Sequence, residues 1–175
     1  MNLHPWLDHL AHIIIGYGYL APPLVGLIAF AEGLAVVGSF VPGSTLLVAI
    51  ATSAGTGHVS LGWMIAWAIV GAVAGDFISF LLGRRHGSRV LAMRPFAYRP
   101  LWTARATQLL ARRGDVAVFI GRLTPPLRAL MPVLAGMSGL PTRRFVFSDS
   151  LAAAVWASVH LGLGAVLGHW LFAHH

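Results

Sequence analysis

Gly121-Arg122-Leu123-Thr124-Pro125-Pro126-Leu127-Arg128 lies between two apolar runs, each too short to cross a bilayer, and places two arginines at the depth those runs reach. One run leads in from Asp115; the other leads out through Gly136-Met137-Ser138-Gly139 to Pro141. Adjacent prolines interrupt a helix, because each lacks an amide donor and crowds the preceding turn. A straight crossing needs about 20 helical residues for a hydrocarbon core roughly 30 Å thick. Residues 115–141 are therefore expected to enter and leave the membrane on one side, as a re-entrant helical hairpin broken at Pro125 and Pro126. Non-helical backbone at that depth survives only where protein or a wet cavity covers it, so the break faces inward.

Composition makes the bilayer the solvent for the rest of the chain. Of 175 residues 57% are hydrophobic, with 12 basic and five acidic ones. Globular chains carry roughly 25% charged residues; here the share is 10% and the mean hydropathy +0.77. An ordinary soluble domain is excluded. Every basic residue is arginine, so the formal +7 survives ordinary pH change. The absence of cysteine excludes disulfides, thiolate nucleophiles and Cys-ligated metals. The histidines fall mostly near the ends with no carboxylate at ligand spacing, and neither metal nor cofactor is expected. Abundant Arg, Ala and Gly without lysine suit a GC-rich bacterial genome, with the inner membrane as the expected address.

Working outward, the chain reads as one all-α integral membrane domain over residues 1–175. A first crossing is expected near residues 10–32, and a cleavable signal is not, since no basic n-region precedes it. Residues 33–57 are broken by Val41-Pro42-Gly43-Ser44 and read as a first re-entrant hairpin. Leu61 to Gly83 is a second crossing, in which Gly71 and Gly75 form a small-xxx-small pair suited to close helix packing. Residues 84–113 hold eight of the 12 arginines and fall on the cytoplasmic side by the positive-inside rule. Within them, 101–113 reads as an interfacial amphipathic helix whose arginines face anionic lipid headgroups, not nucleic acid. A third crossing runs from Phe145 to about Phe172, so the N-terminus lies inside and the C-terminus outside. The halves 10–83 and 115–172 repeat one pattern in opposed orientation. A shift of 84 residues lays Pro42 on Pro126, Leu46 on Leu130, Ala51 on Ala135 and Gly55 on Gly139.

Four charges fall at membrane depth: Glu32, Asp76, Arg122 and Arg128. Each costs roughly 2.5–3.5 kcal/mol at a helix centre on insertion scales, so they are expected to face one another or a wet cavity. The plainer reading is that two acids and two arginines lock the hairpins together as buried salt bridges. The functional reading is a phosphate site at Arg122 and Arg128, since guanidinium forks bind phosphate bidentately. Glu32 and Asp76 would then couple movement of the anion to protons.

In their order and spacing, the quoted motifs resemble the DedA family, also called the SNARE-associated or VTT-domain family. They are Phe30-Ala31-Glu32, Val41-Pro42-Gly43, Gly71 to Asp76, Gly83-Arg84-Arg85-His86-Gly87, Gly121 to Arg128 and Pro132 to Gly136, with Phe145 and Trp156 beyond. The resemblance covers about residues 25–165. It implies two apposed re-entrant hairpins and movement of lipids across the bilayer: undecaprenyl phosphate recycling in bacteria, phospholipid scrambling in eukaryotic relatives. It also implies that Glu32 is the acid before the first hairpin and that Arg122 and Arg128 are the two arginines of the second. Where the family often has an acid after Pro-Gly, this chain has Ser44. Many relatives continue with another helix beyond the position of His175, which a second subunit can supply; a homodimer is therefore expected.

The expected function is a flippase for a lipid phosphate. The alternatives are a non-selective scramblase and a membrane assembly factor in which the charges merely pair. A remote alternative is an intramembrane hydrolase using the Gly-x-Ser-Gly of residues 136–139 with His160.

Overall fold

Pro22 and Pro23 open the first helix instead of interrupting it, because the first turn has no use for their missing amide protons. The computed structural model describes residues 18–35, 43–52, 60–93, 97 and 100–172. Within these, a short 3-10 turn at Gly18–Leu20 leads into α1 (Ala21–Gly33), followed by α2 (Gly43–Ala51) and α3 (Leu61–Leu91). Then come α4 (Pro100–Arg113), α5 (Asp115–Leu123), α6 (Pro125–Arg128), α7 (Met131–Met137) and α8 (Thr142–Phe172).

Among the described residues two helices are long and apolar enough to cross a membrane, within Leu61–Leu91 and Thr142–Trp170. Their surfaces are inverted relative to a water-soluble protein. Trp63, Trp67, Val70, Val159, Leu163, Val166 and Trp170 are exposed, while Asp76, Arg122 and Asp149 are buried. In α3 the backbone leaves helical geometry at His86 (φ −137°, ψ 26°), just past the expected end of the crossing at Gly83.

Short helices flank both of the stretches in which a break is expected. The first is preceded by α1, of 13 residues, or about 20 Å, and the chain is already extended at Leu34. Gly33 ends α1, and residues 36–42, which hold the expected leading arm of the hairpin at 33–57, fall outside the described residues. Of the expected first crossing at 10–32, the part among the described residues is the 3-10 turn and α1. The second unit pairs α5 with α7, and the chain is extended at Thr124 before Pro125 and Pro126 begin α6. Gly139, at φ 75°, ends α7 in the left-handed region that glycine reaches without a Cβ penalty. The amide of Leu140 then donates back to Ala135 O at 3.3 Å.

Glycine contacts bring the helices together. A Cβ on Gly71 would overlap the carbonyl oxygen of Gly26, and one on Gly75 that of Phe30, so α3 lies directly on α1. Farther along α3, Gly83 meets the backbone of Val133, and Gly136 meets Phe80 O. On α8, Gly164 meets Val48 and Gly168 meets Thr52. Each long helix therefore holds short helices from both halves of the chain: α3 packs on α1 and α7, and α8 packs on α5 and α2. Phe80 and Phe145, stacked at 4.3 Å, join the two long helices at the core.

Candidate functional site

Breaking a helix exposes backbone groups and brings its end into the protein interior, and both α1 and α5 carry a charged residue at that end. Glu32 is the penultimate residue of α1 and Arg122 that of α5. The buried hydroxyl of Ser79 fastens the first of these ends: it accepts from the Ala35 amide at 2.8 Å and lies 3.0 Å from Gly33 O and 3.1 Å from Gly75 O. Thr124 closes the second end, donating to Ile120 O at 2.9 Å.

Four of the charges come together as two pairs. Arg128, last residue of α6, donates from Nη1 to Glu32 Oε1 at 2.7 Å, across 96 residues of sequence. Ser44, at the start of α2, donates to the same oxygen at 2.8 Å. Arg122 pairs through Nη1 with Asp76 from the middle of α3. The same nitrogen donates to Asp149 Oδ1 of α8 at 2.7 Å. Three carboxylates thus face two guanidinium groups.

Each arginine spends only Nη1 on these carboxylates. The Nε and Nη2 atoms of Arg122 and of Arg128 are buried, with no hydrogen-bond partner among the described residues. Nε and Nη2 form one edge of the guanidinium, the fork that takes two oxygens of a carboxylate or phosphate. Arg128 also lies over the ring of Trp156, its Cζ 4.0 Å from the centroid.

Of the other residues singled out from sequence, Gly43 and Ser44 begin α2, Pro125 and Pro126 begin α6, and Gly71 and Gly75 line the α1 contact. Pro42 lies outside the described residues. The serine and histidine of the hydrolase alternative are engaged separately: Ser138 donates to Ala135 O, and His160 Nδ1 contacts Trp156 O. Gly136 serves helix packing.

Sequence reasoning missed Asp149, the second carboxylate on Arg122. Its signal is an acid four residues inside an apolar span, five residues past Arg144. Trp156 was quoted only for its resemblance, with no role attached, and its place over Arg128 depends on the fold.

Comparison with known proteins follows the same residues. The VTT domain family matches residues 41–166. Inner membrane protein YghB of Escherichia coli is 33% identical over 139 residues, covering 79% of this chain and 64% of that protein. Inner membrane protein YabI is 28% identical over 144 residues (82% and 57%), and Protein DedA 25% identical over 163 (91% and 74%), both from Escherichia coli. An uncharacterized membrane protein of Buchnera aphidicola is 25% identical over 168 residues, and this chain spans 65% of its length. No solved structure matches. With most of its length inside the VTT domain and its two arginines in the broken second half of that domain, the chain belongs to the DedA family of membrane proteins.

Proposed function

We propose that this protein moves a lipid phosphate, undecaprenyl phosphate or an anionic phospholipid, across the bacterial inner membrane. The observation that carries the reading is the pair of guanidinium edges on Arg122 and Arg128, buried without a hydrogen-bond partner among the described residues, where α5 and α6 break. A purely structural ion pair has no need to leave such an edge free, because an unsatisfied buried donor costs about 1–3 kcal/mol. A phosphate group offers the oxygens such an edge takes, while its acyl or prenyl tail stays in lipid. The relatives' names, inner membrane proteins, supply the address.

The charge inventory gives the reading a direction. A phosphate adds negative charge to a cluster already holding Glu32, Asp76 and Asp149 against two arginines. Its binding is favoured when one carboxylate takes up a proton, so anion and proton are linked by the same balance. In this proposal α1–α2 and α5–α7 are re-entrant hairpins entering from opposite faces, and the arginine-bearing face of α4 rests on cytoplasmic anionic headgroups. The N-terminus lies inside and the C-terminus outside, and a homodimer is the working assembly.

The test is transbilayer movement of undecaprenyl phosphate and of a fluorescent phospholipid in proteoliposomes, for wild type and Arg122→Ala/Arg128→Ala, with and without a pH gradient. Arginine-dependent movement of the carrier lipid alone supports the flippase. Equal movement of both lipids indicates a scramblase. Movement of neither, by folded protein, leaves the charges a role in assembly only.

A further inference from the structure

We infer that Trp156 is a positioning residue for Arg128, holding the guanidinium plane so that its Nε–Nη2 edge stays turned toward an incoming phosphate. This inference rests on the lipid-phosphate reading for its functional consequence and on geometry for its physical content.

The two arginines are held by different means. Arg122 has carboxylates from two separate helices on one nitrogen, Asp76 from α3 and Asp149 from α8, and charge alone fixes its place. Arg128 has a single hydrogen-bonded carboxylate, Glu32, reached through Nη1. One hydrogen bond leaves a planar group free to turn about the contact, and turning would swing the other edge away. The indole removes that freedom. Trp156 is nearly fully buried, and its ring centroid lies 4.0 Å from Arg128 Cζ, within the range where a guanidinium stacks on an aromatic face.

The indole also has a neighbour on its own helix. The ring of His160 lies 5.1 Å from that of Trp156, one helical turn on and tilted by 41°. His160 Nδ1 is 2.8 Å from Trp156 O; a carbonyl oxygen only accepts, so Nδ1 carries the proton. Through Trp156, α8 thus bears on a side chain carried by α6.

The experiment uses the full chain. Wild type, Trp156→Phe, Trp156→Leu, Arg128→Lys and Arg128→Lys/Trp156→Leu are reconstituted and assayed for undecaprenyl phosphate movement. The same proteins, labelled with 15N-arginine in micelles, give the Arg128 Hε resonance, assigned by its loss in Arg128→Lys. The expected result is a ring-current upfield shift in wild type that Trp156→Phe retains and Trp156→Leu abolishes. Transport is expected to fall about tenfold in Trp156→Leu and about threefold or less in Trp156→Phe. In the Arg128→Lys background Trp156→Leu should add less than about twofold, since a positioning residue has nothing left to position. An unshifted wild-type resonance, or a Trp156→Leu effect that adds in full to Arg128→Lys, overturns the inference. Should Arg128→Lys transport like wild type, the lipid-phosphate reading fails, and the resonance alone decides whether Trp156 sets the arginine.

Discussion

Arg122 and Asp149, 27 residues apart in sequence, meet at 2.7 Å in the buried centre of the protein. Asp76 approaches the same guanidinium nitrogen from the other long helix. Arg122→Ala should be severe, because it leaves two buried carboxylates facing each other without a cation, at a cost of about 3–5 kcal/mol. Asp149→Asn should be milder, near 1 kcal/mol, because the amide oxygen still accepts from Nη1 and Asp76 remains. Unfolding in mixed micelles as the denaturing detergent fraction rises measures both, and equal losses would contradict the shared-nitrogen arrangement.

Glycines on one helix should divide sharply. Gly164→Ala and Gly168→Ala drive a Cβ into the backbone of Val48 and Thr52, whereas Gly162 has nothing within 4 Å. The first two should cost roughly 1–3 kcal/mol by overpacking, and Gly162→Ala should gain roughly 0.5–1 kcal/mol from helix propensity. The comparison is made by thermal aggregation in detergent.

Ser79→Ala should loosen the end of α1. It removes the oxygen that accepts from the Ala35 amide and approaches Gly33 O, a loss of roughly 0.5–1.5 kcal/mol for each bond. Hydrogen exchange at Ala35 should quicken while that in the middle of α3 stays unchanged; protection retained at Ala35 would deny the hydroxyl this part.

At Glu32 the fold and the transport should separate. Glu32→Gln keeps an oxygen for Arg128 Nη1 and Ser44 and should fold, yet transport in proteoliposomes should lose its dependence on a pH gradient. Unaltered gradient dependence would remove Glu32 from the coupling. Ser44→Ala, which takes away one of two donors on Glu32 Oε1, should slow transport a few-fold without abolishing it.

What could be read from the sequence follows physical locality. The α5–α7 break was legible because Pro125 and Pro126 interrupt a helix wherever they fall outside a first turn. The α4 helix was legible because its apolar and basic residues alternate at helical spacing, and it runs from Pro100 to Arg113 against an expected 101–113. The start of α1 was not legible, because Pro22 and Pro23 read as an interruption of the apolar run, whereas they occupy the first turn of a helix that Gly26 and Phe30 pack on α3. Glu32, Asp76, Arg122 and Arg128 stood out because any charge in an apolar run does. Which acid pairs with which arginine was not written locally: it depends on how the halves dock, and that docking also turned Ser44 from a missing acid into a hydrogen-bond donor.

That each long helix holds short helices from both halves bears on the order in which the protein is made. Val48 and Thr52 of the first half rest on Gly164 and Gly168, more than a hundred residues later. A ribosome delivers those glycines more than a hundred residues after α2, so α2 has no seat on α8 until they emerge. The pairing of Glu32 with Arg128 waits likewise for the second half. A nascent chain stalled in the basic middle would therefore carry an unneutralised carboxylate and an undocked helix.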